Sequence, residues 1–188
     1  MGMPNPSGGW TAAQVLALPE DGQRYEVVDG KLLVSPAPSR VHQRAVGELY
    51  AGLRAYVRAH RIGELLLSPG DVELDPRTLV QPDLFVAPLD AEHPGRTWRE
   101  IDRLLLAVEV LSPATAHADR HIKRRRYQRH GVPEYWIVDL DARLVERWRP
   151  EDERPEILTE RLVWQPAGAA EALVLDLERL FDAVWQQP

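Results

Sequence analysis

Cysteine is missing from all 188 residues of the chain. Its absence excludes disulfides and thiolate zinc sites, and it fits a reducing interior. Long apolar runs are missing too: none approaches the ~20 residues needed to span a bilayer. The first residues, Met1-Gly2-Met3-Pro4-Asn5-Pro6, lack the basic-then-apolar pattern of a secretion signal. Myristoylation at Gly2 is excluded because Pro6 stands where Ser or Thr is required. These absences predict a soluble, cytoplasmic protein with no membrane partner. An excess of positive charge is also lacking. The net charge is -6, which argues against a protein that coats nucleic acid nonspecifically. The distribution is uneven, however. Residues 119 to 130 carry six cations, Arg120, Lys123, Arg124, Arg125, Arg126 and Arg129, against Asp119 alone. A local basic face on an acidic body can still meet a phosphate backbone.

What is present fits one domain over residues 1–188, with 1–10 as a loose lead-in. A chain this long buries roughly 70% of its unfolded surface and needs no staples. Thr11-Ala12-Ala13-Gln14 is a capping box that opens a short helix. Asp29-Gly30 between two apolar runs is a hairpin signal. Ser39 caps a long helix in which Val41, Ala45, Leu49, Leu53, Tyr56 and Val57 keep the 3.6 period. Further strands are expected at 64–68, 72–74, 78–86, 104–111, 134–139 and 144–149, with a polar stretch from Asp90 to Asp102. A helix from Ala116 to His130 ends at Gly131, and a closing helix covers about 177 to 185. Hairpins combined with one strand-helix-strand unit (104–139) predict an α/β fold with α+β character: a mixed β-sheet flanked by helices.

The chemistry lies in two of the apolar runs. Val80-Gln81-Pro82-Asp83-Leu84-Phe85-Val86 and Leu104-Leu105-Leu106-Ala107-Val108-Glu109-Val110-Leu111 each carry one acid inside a strand that reads as buried. An uncompensated buried carboxylate costs several kcal/mol, of order. Two on neighbouring strands repel each other unless a cation lies between, and hard divalent ions favour such oxygen sites. The plain alternative is that Asp83 ends a turn and Glu109 faces solvent. Lys123 follows on the helix. Asp119, Lys123 and Tyr127 are spaced i, i+4, i+8 and share a face, so Lys123 can orient water or steady developing negative charge; otherwise it is an ordinary helix ion pair. Acid, acid and lysine in this order point to metal-assisted phosphodiester hydrolysis. Arg124, Arg125, Arg126 and Arg129 are either a DNA phosphate contact or a solvated helix face. His117 and His121 share the i, i+4 spacing of an H-E-x-x-H helix, but position 118 is alanine, so the required glutamate is absent. His42 reads as a supporting or capping group, and Glu26 as a further acid or a solvent-facing strand residue.

Taken together, these residues resemble the PD-(D/E)XK nuclease superfamily, and within it the Uma-two branch of restriction-endonuclease-like proteins. The matching stretches are Arg24 to Gly30, Ser35-Pro36-Ala37-Pro38 with His42, Gln81-Pro82-Asp83, Val108 to Pro113, Asp119 with Lys123 and Tyr127, and Gly131 to Asp139. They cover most of residues 20 to 182. The resemblance implies a restriction-endonuclease-like core, with Asp83 and Glu109 as ligands of Mg2+ or Mn2+. The superfamily pattern places lysine two residues after the glutamate. Here that position is Leu111, and Lys123 is the branch's match.

The expectation is therefore a metal-dependent DNA endonuclease. Asp83, Glu109, Lys123, Glu26 and His42 form its catalytic set, a main-chain carbonyl near Val110 completes the metal edge, and Arg124 to Arg129 lie on DNA. A homodimer is expected, with Trp148, Trp164 and Trp185 as shared apolar surface. The rival is a nonenzymatic nucleic-acid-binding or assembly module on the same fold.

Overall fold

The computed structural model of the chain describes residues 8–89, 97–98, 101 and 103–186. The polar stretch expected at 90–102 therefore lies mostly outside the described residues, as does the lead-in before residue 8. Trp10 is not loose. Its ring is buried with Tyr25, Val27 and Leu79, and its amide donates to the Gly30 carbonyl at 2.8 Å. An indole excluded from water outweighs the entropy of a short tail.

Helix α1 (Ala12–Leu16) starts on the expected capping box, with Thr11 and Gln14 bonded reciprocally. Strands β1 (Arg24–Val28) and β2 (Lys31–Ser35) pair around Asp29 and Gly30, at φ 50° and 81°. Two successive positive φ values make the type I′ turn that suits a right-twisted hairpin. Helix α2 (Arg40–Ala59) is capped by the Ser39 hydroxyl, which accepts from the His42 amide at 3.2 Å. Its buried stripe of Ala45, Leu49, Leu53, Tyr56 and Val57 follows the helical period.

The remaining strands are β3 (Gly63–Leu67), β4 (Val72–Asp75), β5 (Thr78–Val80), β6 (Leu84–Pro88), β7 (Leu106–Val110), β8 (Tyr135–Asp139), β9 (Leu144–Trp148), β10 (Glu156–Leu158), β11 (Arg161–Trp164) and β12 (Leu173–Asp176). A π-helical turn (Ala118–Lys123) runs into α3 (Arg124–Arg129), and α4 (Leu177–Trp185) closes the chain. Six strands form the main sheet in the order β10-β9-β8-β7-β6-β3. Among the described residues only β7 and β8 run parallel, joined by the helical crossover, so the sheet is mixed. A four-stranded sheet, β2-β1-β5-β4, stands beside it, and β11 pairs with β12. The expected strand over 78–86 is thus two strands in two sheets. Pro82 has no N–H for a ladder, and the chain crosses between the sheets at 81–83.

The main sheet is buried on both faces. Leu84, Val86, Leu106, Val108 and Val110 pack on α2 and α4, together with Trp136 and Trp164. Phe85, Ala107, Tyr135 and Ile137 face the four-stranded sheet and α3, with Val28, Val80 and Tyr127. Trp148 and Trp164 are 7% and 1% exposed, so neither offers surface to a second chain. Only Trp185 of the three is exposed. Among the described residues, no helix is long and apolar enough to cross a membrane.

Candidate active site

Strand alternation determines which side chains meet. On β7, Ala107 faces the four-stranded sheet, so Glu109 does too. On β6, Phe85 has the same orientation, and Asp83 precedes it by two. Leu84 pairs with Val108 in an antiparallel register, which puts Asp83 opposite Glu109 one step further on. On β1, Glu26 and Arg24 share the face of Val28. The crossover residues 81–83 are stitched to that strand: the Gln81 amide donates to Glu26 Oε1 at 2.7 Å, and Arg24 Nη1 donates to the Gln81 carbonyl at 3.2 Å. Lys123 comes from the crossover packed on that same face, at the junction of the π-turn with α3. A widened turn of this kind recurs at functional sites.

The result is a buried ionic cluster. Lys123 Nζ lies 2.8 Å from Glu26 Oε2, 2.9 Å from Glu109 Oε1 and 3.4 Å from Asp119 Oδ1. Asp83 Oδ1 accepts from Arg24 Nη1 at 2.8 Å. Asp83 Oδ2 accepts from the Val110 amide at 2.8 Å and stands 3.3 Å from His42 Nε2. The Val110 main chain thus faces Asp83 from β7 through its N–H. The side chains of Glu26, Asp83, Glu109, Asp119 and Lys123 are all at most 4% exposed, whereas Arg24 is 18% exposed and forms the outer edge.

Fully ionised, the cluster holds four carboxylates against Arg24 and Lys123, leaving two negative charges uncompensated with His42 left out of the count. Burial pushes Glu109 well above the usual carboxylate range; Lys123 opposes this, while Asp119, Asp83 and Glu26 add to it. Asp119 is raised for the same reason. Burial also works against the Asp83 carboxylate, but His42, Arg24 and the Val110 amide outweigh it and hold Asp83 at about 2. Burial alone would lower Lys123, yet Glu109, Glu26 and Asp119 keep its ammonium well above the ordinary lysine value. Two facing acids are driven apart in proton affinity, which is how one site keeps an acid and a base at a single pH.

The donor set fits a hard divalent ion in kind: the carboxylates of Glu26 on β1, Glu109 on β7 and Asp83 in the crossing at 81–83, with Glu109 Oε2 buried and lacking a hydrogen-bond partner. It is not laid out as a ready ligand shell. Among the described residues no group of three His, Asp or Glu side chains stands in metal-holding geometry. Arg24 is already paired with Asp83, and Lys123 with Glu109.

The structure therefore brings together Asp83, Glu109, Lys123, Glu26 and His42. The four arginines disperse. Arg124 stacks over Trp148 at 4.4 Å and donates to Gln128 at 2.7 Å. Arg126 pairs with Asp75, and Arg129 with Asp29. Arg125 is exposed and has no ion pair among the described residues. The His117 and His121 rings lie 4.9 Å apart. Sequence reasoning missed Arg24 as a site residue and treated Asp119 only as a helix partner. The signal for Arg24 was its place two residues before Glu26 on one strand, hence on one face.

A crystal structure described as "a putative nuclease belonging to DUF820 from Anabaena variabilis ATCC 29413" superposes with a TM-score of 0.76. The match covers 93% of this chain and 99% of that one at 24% identity, and shows a common fold. A comparison with curated proteins finds no significant match. The model of the Uma2 family, described as "Putative restriction endonuclease", matches residues 12–179, and the chain belongs to that family.

Proposed function

We propose that the chain is a divalent-metal-dependent DNA endonuclease with Asp83, Glu109 and Lys123 at its centre. The observation that supports this best is the facing pair of buried acids with the Lys123 ammonium 2.9 Å from one of them. Asp83 and Glu109 would hold Mg2+ or Mn2+, and a dication would offset the two uncompensated charges. When bound, such an ion supplies a nucleophilic water and charge relief at the phosphoryl oxygens. Glu26 holds Lys123 against Glu109, so the ammonium is fixed before substrate arrives. Lys123 then steadies negative charge as it develops on the phosphorane. His42 Nε2 fixes the orientation of Asp83 through Oδ2. Arg125 is the arginine of α3 best placed to meet a DNA phosphate.

The test is nicking of supercoiled plasmid with Mg2+ or Mn2+, using Asp83→Ala as control. Metal-dependent nicking that the substitution removes is expected; equal nicking by both proteins would sink the assignment. Two strands are cut most simply by two copies, and a two-fold pair is the commonest oligomer. A homodimer is therefore part of this reading, and light scattering should give twice the 21.3 kDa chain mass. A nonenzymatic module on the same fold is the second reading. In its favour, Arg24 and Lys123 already pair with the acids, as a purely structural network would require.

A further inference from the structure

We infer that Arg24 is a built-in placeholder for the divalent cation, which leaves Asp83 when metal binds and moves onto a phosphate of the DNA. This rests on the metal-dependent reading above and adds a residue that reading does not need. Three observations carry it. First, Arg24 Nη1 caps Asp83 Oδ1 at 2.8 Å, and Nε stands 3.8 Å from Glu26 Oε2, so the guanidinium bridges two acids from which a cation would draw ligands. Second, Arg24 is the most exposed charged member of the cluster, at 18%. It can leave outward without opening the core, whereas Lys123 at 1% cannot. Third, guanidinium Nη2 has no hydrogen-bond partner among the described residues, so part of its five-donor fork is uncommitted.

The same chemistry gives the destination. A guanidinium beside a dication on one carboxylate is repelled, and its planar fork matches two phosphate oxygens better than any other side chain does. Arg24 lies where DNA would approach the acids, since the four carboxylates lie deeper. One cation thus has two alternative anionic partners, and metal loading selects between them.

The test measures metal and DNA binding separately. Mn2+ affinity is read by electron paramagnetic resonance on DNA-free wild type, Arg24→Gln and Arg24→Lys. Losing a charge-assisted competitor should tighten Mn2+ binding by about tenfold in Arg24→Gln. Arg24→Lys, a single-point cation, should fall between that and wild type. Duplex DNA binding is then followed against salt, with Ca2+ or with EDTA. In Ca2+ the Arg24→Gln slope should be shallower by about 0.9, one phosphate contact; in EDTA it should equal wild type. If wild type binds Mn2+ and both variants bind it no more tightly, the placeholder role is overturned while the metal site stands. If no protein binds Mn2+, the metal reading fails and this inference with it. A slope change that is equal in Ca2+ and EDTA overturns the metal-driven movement. Should Arg24→Gln not fold, Arg24→Lys alone decides by the same comparisons.

Discussion

Replacing Lys123 by methionine keeps the aliphatic stem and removes the ammonium from among Glu26, Glu109 and Asp119. Three acids at 1% exposure then face one another without their shared cation. Removing one partner from a buried pair costs about 3–5 kcal/mol, a large share of the roughly 5–15 kcal/mol of a typical domain. The cluster has one escape, which is to take up a proton. Protonating an ordinary glutamate, pKa about 4.3, costs about 4 kcal/mol at pH 7.5 and about 1 kcal/mol at pH 5. Glu109 is already raised by burial, so it is the acid that takes the proton.

The sign follows from linkage. A native state that holds a proton the unfolded chain has lost becomes less stable as pH rises above the unfolded pKa. Lys123→Met should therefore lose about 3–5 kcal/mol against wild type at pH 7.5, and only about 1 kcal/mol at pH 5. Adding Glu109→Gln should recover part of the pH 7.5 loss, because it removes the charge left unpaired. Urea unfolding followed by tryptophan fluorescence measures all four corners of the cycle. A loss below about 1 kcal/mol at pH 7.5, or one that is independent of pH, would show that the ammonium does not hold these acids together. The same variant should nick no plasmid, even at pH 5, where it is folded.

Asp83→Asn should flatten the acid limb of stability. Asp83 at about 2 contributes stability that is present above its unfolded value and lost as pH falls from about 4 toward 2; melting temperatures from pH 5 to 2 read the difference, about 2 kcal/mol in all. Mn2+ binding to wild type should tighten as pH rises, because Glu109 must release its proton to become a ligand; calorimetry in buffers of different ionisation enthalpy should detect that proton, and its absence would exclude Glu109 as a ligand. Arg125→Ala should weaken DNA binding and reduce the salt slope by about 0.9 without altering stability. Arg126→Ala should instead destabilise by about 1 kcal/mol, because it releases Asp75; equal DNA effects from the two substitutions would restore the whole helix as a DNA contact.

The site was legible where the sequence breaks a rule. Asp83 and Glu109 are acids in runs that otherwise read as core, and burial of charge without a partner is too costly to be idle. Lys123 was legible from helical phase, since only one face of residues 116–130 returns to the sheet. What was not legible depends on contacts far apart in the chain. Arg126 and Arg129 read as a free basic patch because Asp75 and Asp29 stand 51 and 100 residues away. Charge density along a helix shows how many cations exist, not which carboxylates fold back to meet them. Trp148 and Trp164 misled for the same reason: nothing local says which side of β9 or β11 becomes interior. The break of 78–86 into two strands is different, because Pro82 was visible and its missing N–H was enough to end a ladder. That break is also what makes the site. Had β5 and β6 been one strand, Asp83 would sit within a single sheet; the crossing at 81–83 places it between two, where Arg24 and Glu26 of one sheet meet Glu109 of the other. A proline that limits pairing thus sets the position of the acid that follows it. Moving the proline by one residue should disturb the cluster more than most substitutions of the surrounding apolar side chains, and a Pro82→Ala protein whose Asp83 kept its depressed proton affinity would show that the crossing does not need it.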